Sequence, residues 1–443
     1  MPHEIDTSLM HRLRRYGAFD VSACFNCGNC TAVCPLARDT AGFPRRLIRL
    51  GQVGMEKRLL ADEHLWLCYA CGECSQTCPR QADPAQFVAA ARRYAISRYE
   101  PTGLARLALG SAWGQAILFL LFSALFTLLL LWHQGDMNGR QLALFQFIPG
   151  PWIHDIGVAL FIVVGLGALS GLVSMVWRFR QALPPEHRPA WSSLPAALFA
   201  AAVDALAHLR YRRCDSAADA PAAGGAAVPP GNPGDQPAAE SRGESRGESG
   251  GESGGKSGGE SGGESGGMSG VEGLAPSVIR GWLVHALILW GFLGMLLATT
   301  LDLLTKPIGS PEPLWYPVRL LGILSGLACL AGLTFVFTRR LTPGKGLRKP
   351  PYNVTRASDW FFLILLAATV LTGLLTLLVV YLPGASLAAY LIFLIHIVLA
   401  MDLIVLLPLT KFAHALYRPL ALALHRWASP VSGPAKAAAS DPA

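Results

Sequence analysis

CFNCGNCTAVCP at residues 24–35 and CYACGECSQTCP at residues 68–79 are two copies of one cysteine pattern, and they decide the fold of the N-terminal part. The spacing C-x2-C-x2-C-x3-C-P is typical of [4Fe–4S] cubes, in which one loop presents three thiolates and the fourth comes from elsewhere. In two-cluster proteins the fourth cysteine of each run ligates the other cluster. The pattern therefore predicts one cube on Cys24, Cys27, Cys30 and Cys78 and another on Cys68, Cys71, Cys74 and Cys34.

Disulfides and structural zinc are the alternative uses of these cysteines. The N-terminal sequence MPHEIDTSLMHRLRRYG lacks the apolar core of a secretory signal, so we expect a reducing compartment, which disfavours disulfides. Eight cysteines would suffice for two zinc sites. The doubled pattern followed by proline is more typical of iron–sulfur, which is the interpretation we adopt.

The composition of the 443 residues indicates a membrane protein, since 52% are hydrophobic and 15% are charged. The net charge of +8 comes from basic residues that flank apolar runs rather than line an aromatic groove, so we predict no nucleic-acid partner. Six runs are long enough to cross a bilayer. They are residues 113–132, 152–177, 279–301, 316–338, 359–381 and 387–411.

The positive-inside rule gives the predicted orientation. Basic residues concentrate in 178–278 and 339–358, which places these segments, the iron–sulfur domain and both termini in the cytoplasm of a multi-pass protein of the cytoplasmic membrane. Residues 191–214 are apolar but contain Asp204 and several arginines, and we predict an interfacial helix rather than a seventh span.

The predicted fold class is all-α, with a helical ferredoxin-like two-cluster domain followed by a six-helix transmembrane haem b bundle. Residues 215–275 are of low complexity and are predicted to be a disordered loop. The glycine-rich string at 165–171 lies inside an apolar run, so we assign it to helix packing rather than to a nucleotide. The predicted domains are 1–100 (clusters), 101–180 (two spans), 191–214 (interfacial helix), 215–275 (loop), 276–418 (four-helix haem b domain) and 419–443 (tail).

Histidines in or beside the spans are the candidate haem ligands, because an intramembrane imidazole is costly and indicates function. His285 and His414 match in depth on the cytoplasmic side and are predicted to bind one b-type haem. His396 precedes His414 by 18 residues, or five turns of a continuous helix that Pro408 would bend. This separation is too long for one metal and suits two haems stacked across the membrane, so His396 is a candidate ligand of a second haem. Its partner would be His154 or His133, and both of these are alternatively water-exposed interfacial residues.

Acidic residues near the spans are few. Asp402 lies on the same run as His396 and is a candidate proton relay for quinone chemistry, with a paired structural charge as the alternative. Asp302 and Asp359 lie at span ends, where we expect them to be solvated.

Several strings resemble a known family. CFNCGNCTAVCP, FPRRLIRLG and LWLCYACGECSQTCPR resemble the C subunit of heterodisulfide reductase. HLRYRRC at 208–214, HALILWGFLGMLLATT at 285–300 and LPLTKFAHALYR at 407–418 resemble the haem b part that is fused to such a domain in the C subunit of the quinone-interacting membrane-bound oxidoreductases. The last four spans resemble, more distantly, the gamma subunit of respiratory nitrate reductase. Met295 stands where that subunit would place a further histidine, and the insertion 215–275 is foreign to the pattern.

The resemblance implies two [4Fe–4S] clusters, one or two haem b groups, and menaquinone or ubiquinone as substrate. It implies partners that resemble the flavin and iron–sulfur A subunit of heterodisulfide reductase, and adenylylsulfate reductase in dissimilatory sulfur metabolism. His208 matches a family position near the gap between clusters and haem. The alternatives are a transmembrane subunit of a sulfite-reductase-linked complex and a membrane-anchored iron–sulfur redox sensor. The chain is expected to be catalytically incomplete alone.

Overall fold

The computed structural model describes residues 5–18, 20–38, 40, 42–135, 143–212, 280–305, 313, 315–341, 356–381 and 386–428. Within these residues every regular element is a helix and there is no strand, which confirms the predicted all-α class. The predicted loop 215–275 lies outside the described residues. The predicted tail 419–443 begins within a helix, His414–Ala428, and the rest of it also lies outside the described residues.

The N-terminal part contains eight helices among its described residues. Each cysteine run enters a one-turn helix whose first turn follows a left-handed glycine, Gly28 in the first run and Gly72 in the second. At the start of the longest of these helices the Asp83 carboxylate accepts a hydrogen bond from the Gln86 amide, and Pro84 occupies the first turn. The helices are α1 (Leu9–Arg15), α2 (Asn29–Ala32), α3 (Arg45–Gln52), α4 (Glu56–Ala61), α5 (His64–Leu67), α6 (Glu73–Gln76), α7 (Pro84–Tyr99) and α8 (Leu104–Gly110).

The remaining helices include those long and apolar enough to cross a bilayer. Seven such segments occur in the described residues, six of which coincide with the predicted spans. The seventh, Pro185–Ala207, overlaps the segment for which an interfacial position was predicted. These helices mark the chain as a multi-pass membrane protein. They are α9 (Ala112–Leu131), α10 (Leu144–Phe147), α11 (Gly150–Ala182), α12 (Leu194–Ala207), α13 (Gly281–Thr305), α14 (Pro317–Leu341), α15 (Ala357–Val380), α16 (Leu387–Leu406) and α17 (His414–Ala428).

One predicted helix is broken in the structure. The expected continuous helix through His396 and His414 ends at Leu406, and a new helix begins at His414. Pro408 has no amide hydrogen to continue the ladder, and the Thr410 hydroxyl accepts a hydrogen bond from the Phe412 amide instead. The five-turn spacing argument for His396 and His414 is therefore wrong, because the two residues lie on different helices.

The iron–sulfur part packs directly on the membrane helices through a buried ion pair. Asp359, at the start of α15, is 4% exposed, so the prediction that it is solvated is wrong. Its carboxylate lies 3.5 Å from the Arg93 guanidinium of α7 and 2.9 Å from the Lys411 ammonium. Burial of the carboxylate is compensated because two cations from other elements neutralise it.

Replacement of Asp359 by alanine is expected to loosen this packing. The substitution leaves the buried Arg93 unpaired, and we expect a loss of about 3 kcal/mol, since Lys411 keeps contact with water. The measurement is the thermal midpoint at which purified protein loses its visible iron–sulfur absorbance. Asp155→Ala, which removes an exposed partner of His154, is the matched control and should leave the midpoint unchanged. Equal midpoints for Asp359→Ala and the wild type would contradict the claim that the buried ion pair of Asp359 stabilises this packing.

The glycine-rich string of α11 serves packing at one position only. A Cβ atom at Gly171 would collide with the Tyr417 hydroxyl of α17, whereas Gly165 and Gly167 have no atom near a Cβ position. The prediction of close helix packing therefore applies to Gly171 and is wrong for the other two glycines.

Candidate functional site

The first group of sulfurs combines three cysteines of the first run with the last cysteine of the second. Cys24, Cys27 and Cys78 all lie close enough to Cys30 to act electrostatically on its thiol. The two runs are held together at this point, because the Asn29 side-chain amide donates a 2.5 Å hydrogen bond to the Thr77 carbonyl. The structure thus brings together the four residues that the sequence predicts for one cube.

The second group of sulfurs is the reciprocal set. A cavity between α5, α6 and α7 is lined by the side chains of Cys34, Cys68, Cys71 and Cys74. Burial, together with the neighbouring Cys68 and Cys71, raises the pKa of the Cys34 thiol to about 12. Burial likewise raises the pKa values of Cys71 and Cys74, with Cys68 adding to both.

The chemistry of these donors fits iron rather than free thiols. Four sulfurs crowded in a partly buried site resist ionisation because each thiolate is poorly solvated and repels the next. Bound iron supplies the positive charge that removes these protons, since a coordinating thiol is deprotonated by its metal. Backbone amides also point at the sulfurs, with Asn26 N–H 3.4 Å from Cys24 Sγ and Ala70 N–H 3.3 Å from Cys68 Sγ. Such donors stabilise negative charge on the ligands.

Each cysteine loop is held by one side chain from a neighbouring helix. Gln52, at the end of α3, donates a 2.7 Å hydrogen bond to the Cys24 carbonyl. Arg92 of α7 donates two hydrogen bonds of 2.7 Å, one to the Leu65 carbonyl and one to the Cys68 carbonyl. Both loops therefore keep their shape through contacts that do not use the sulfurs.

Three histidines from separate segments meet where the membrane helices approach the iron–sulfur part. The ring centroids of His285 and His414 lie 6.3 Å apart at an interplanar angle of 70°. His208, at the end of α12, lies 2.8 Å from His285, measured between His208 Nε2 and His285 Nδ1. His285 and His414 were predicted to share a haem on depth alone, and His208 was assigned no defined role.

The spacing of the His285 and His414 rings is that expected of two imidazoles that would hold one metal ion between them. An imidazole nitrogen binds a metal at about 2 Å, so two imidazoles on opposite sides of an ion have centroids roughly 6 Å apart. His414 Nδ1 lies 2.7 Å from the Lys411 carbonyl, which can only accept, so Nδ1 carries the proton and Nε2 keeps its lone pair. A ligating histidine usually has its second nitrogen engaged in this way.

His396 has similar local chemistry, but no second imidazole contacts it among the described residues. Its Nδ1 lies 3.1 Å from the Thr369 carbonyl, which again leaves Nε2 free. A Cβ at Gly373 would approach His396 Cε1 to 2.8 Å, so glycine is needed where α15 passes this ring. His154, the predicted partner of His396, has a half-exposed side chain that pairs with Asp155. Within the described residues His154 and His396 share no contact. His133 instead packs against the ring of Trp152.

Asp402 is fully buried in α16 and accepts a 2.5 Å hydrogen bond on Oδ2 from the Ser123 hydroxyl of α9. Its Oδ1 atom has no hydrogen-bond partner among the described residues. A buried carboxyl oxygen without a donor is costly, which makes this group a candidate for proton exchange.

The sulfur and histidine groups are joined by aromatic rings. Tyr69 lies between the ligand positions Cys68 and Cys71, and its ring stacks on Tyr211 with centroids 5.0 Å apart. Tyr211 in turn contacts His285 at 5.9 Å between centroids. The Arg418 guanidinium of α17 covers the other side, 3.7 Å from the Tyr69 centroid. The contacts of Tyr69 and Tyr211 depend on tertiary packing, and no sequence pattern indicated them.

Comparisons with known proteins agree with the N-terminal part of this description. Residues 20–82 match the family model of the 4Fe-4S dicluster domain. Over 63 residues the chain is 34% identical to the C subunit of the H(2):CoB-CoM heterodisulfide,ferredoxin reductase of Methanothermobacter thermautotrophicus, and equally to that of Methanothermobacter marburgensis. The match covers 14% of this chain and 34% of each relative, so the chain spans about a third of the length of these curated relatives. No solved structure matches the chain.

The class of the N-terminal part follows from these findings. It is an iron–sulfur electron-transfer domain similar to the C subunit of heterodisulfide reductase, and it is joined to helices of membrane-spanning length and composition. The sequence resemblance to heterodisulfide reductase is confirmed over the dicluster stretch.

Proposed function

We propose that the chain is the membrane electron-transfer subunit of a quinone-linked oxidoreductase. It would exchange electrons between menaquinone or ubiquinone in the membrane and cytoplasmic flavin and iron–sulfur subunits that resemble the A subunit of heterodisulfide reductase. We also propose that the chain belongs to a complex that serves adenylylsulfate reductase. In this it would resemble the C subunit of the quinone-interacting membrane-bound oxidoreductases.

The observation that carries the proposal is the contact series from Cys68–Tyr69 through Tyr211 to His285. It joins a four-sulfur site in the N-terminal part to the paired imidazoles of His285, near the start of the membrane helix α13, and His414, at the start of α17. A membrane anchor needs no buried imidazoles, and a soluble dicluster protein needs no membrane helices. Their direct contact favours an electron conduit over a sensor with a passive anchor.

Each group of residues has a defined part in this proposal. Bound at these positions, two [4Fe–4S] clusters and haem b would supply one-electron redox centres. The two cysteine sets hold the sulfur ligands, and the Nε2 atoms of His285 and His414 face away from their hydrogen-bonded Nδ1 atoms and would serve as axial ligands. The stacked rings of Tyr69 and Tyr211 lie between the two sites.

The orientation belongs to the proposal too. The iron–sulfur part and both termini would face the cytoplasm, in accord with the positive-inside rule. We propose that α12 lies along the membrane interface. Its Asp204 pairs with Arg426 at 2.8 Å, and the Trp427 indole N–H donates to the Ala190 carbonyl. These contacts tie it to α17, which packs against α5 of the iron–sulfur part.

Asp402 is proposed to exchange protons during quinone oxidation or reduction. Asp402→Asn keeps the contact with the Ser123 hydroxyl but cannot ionise. We expect a fall in quinol-dependent activity of about 100-fold or more, in the range of lost general acid–base catalysis, with metal and haem contents unchanged. Steady-state turnover of reconstituted protein measures it. Turnover like that of the wild type would assign Asp402 a structural role.

The proposal as a whole is tested on protein purified from membranes. We expect a b-type haem absorbance spectrum together with a cubane EPR signal after chemical reduction. Freshly isolated native membranes in which the chain carries clusters but no haem would contradict the proposal.

A further inference from the structure

His208 is held rigidly beside the candidate haem ligand His285. It ends α12 in a left-handed conformation, with φ of 55°, and its side chain is buried. The carboxylate of Asp204, one turn earlier, accepts from the Arg210 amide and pairs with Arg426 of α17. The backbone of His208 is therefore fixed from both sides.

The hydrogen bonds of His208 determine which nitrogen of His285 carries a proton. His208 Nδ1 lies 3.1 Å from the Leu206 carbonyl, and a carbonyl can only accept, so Nδ1 is the donor. In a neutral imidazole Nε2 is then the acceptor. The 2.8 Å contact from His208 Nε2 to His285 Nδ1 consequently has His285 as the donor. His285 Nε2 is left with a lone pair.

We propose that His208 is a positioning residue for haem ligation, which accepts a hydrogen bond from His285 Nδ1 and thereby fixes the tautomer and electron donation of the His285 ligand. This inference rests on the proposed function, in which His285 and His414 bind haem b. A hydrogen-bond acceptor on the second nitrogen raises the basicity of a metal-ligating histidine. Stronger donation stabilises ferric iron, so His208 lowers the reduction potential of the bound group.

The test compares His208→Leu, which removes the acceptor, with His208→Gln, whose side-chain carbonyl can replace it. For His208→Leu we expect a higher haem midpoint potential, an altered EPR g value of the oxidised haem, and about 10- to 100-fold weaker haem retention. His208→Gln should restore the potential towards that of the wild type. His187→Leu, at an exposed position before α12, is the control. Unchanged cubane EPR signals show that each variant is folded.

The possible results separate this inference from the proposed function. A wild-type chain without haem would overturn both. Haem in the wild type with the same potential and EPR spectrum in His208→Leu would overturn the role of His208 alone. A haem signal that survives His285→Leu but disappears in His208→Leu would make His208 the axial ligand, and the inference would be wrong.

Discussion

His414→Ala is expected to abolish binding of the haem that we assign to His285 and His414, while both iron–sulfur clusters remain. The ring of His414 lies 6.3 Å from that of His285 and its Nδ1 is already engaged by the Lys411 carbonyl, so Nε2 is the atom offered to iron. Loss of one of two axial ligands exceeds the 10- to 100-fold effect of losing an outer hydrogen bond, and we expect more than about 100-fold weaker binding. The measurement is haem per chain by absorbance, alongside iron and sulfide analysis.

His154→Ala is the matched control for His414→Ala. Its side chain is half-exposed and pairs with Asp155, so its removal should not change the haem of His285 and His414. Full haem content in His414→Ala would contradict the assignment. A loss of haem in His154→Ala equal to that in His414→Ala would show that the wrong histidines had been paired.

The second large expected effect concerns the iron content of cysteine double variants. It follows if each cube takes three ligands from one cysteine run and the fourth from the other run. Because Cys24 and Cys78 belong to one sulfur group, Cys24→Ser and Cys78→Ser should remove the same cube. Each single variant and the double variant should then retain about four non-haem iron atoms per chain, against about eight in the wild type. Haem iron is determined separately by absorbance. Such non-additivity is the mark of residues that act as a unit.

The opposite double variant makes the test decisive. Cys24→Ser combined with Cys34→Ser removes ligands from both groups, since Cys34 lies with Cys68 and Cys71, and should leave almost no iron. Cys329→Ser, outside both runs, is the control. If each run held its own cube, Cys24→Ser with Cys34→Ser would keep half of the iron and Cys24→Ser with Cys78→Ser would lose all of it.

The sequence predicted what depends on local spacing or on hydropathy. The cysteine spacing predicted which sulfurs lie near one another in the structure, including the fourth cysteine that each group takes from the other run. The hydropathy of residues 113–132 and of the other five runs predicted their helices to within a few residues.

What the sequence did not predict depends on tertiary contacts. Asp359 looks like a solvated residue at a helix end until Arg93, more than 260 positions away, is packed on it. The break after Leu406 has a local signal in Pro408, which predicts a bend in the helix and not its end. His208 lies in the string HLRYRRC, which resembles the family, but its hydrogen bond to His285 joins segments that are 77 residues apart.

The most direct test of the central claim is reduction of the soluble clusters by a membrane-bound quinol. The protein is reconstituted into liposomes with a menaquinol or ubiquinol analogue, and haem and cluster absorbance are followed together by stopped flow. The account predicts that the cluster absorbance bleaches after quinol is added and that His414→Ala abolishes this bleaching. It is contradicted if the haem of the wild type becomes reduced while the clusters stay oxidised, although dithionite can reduce them.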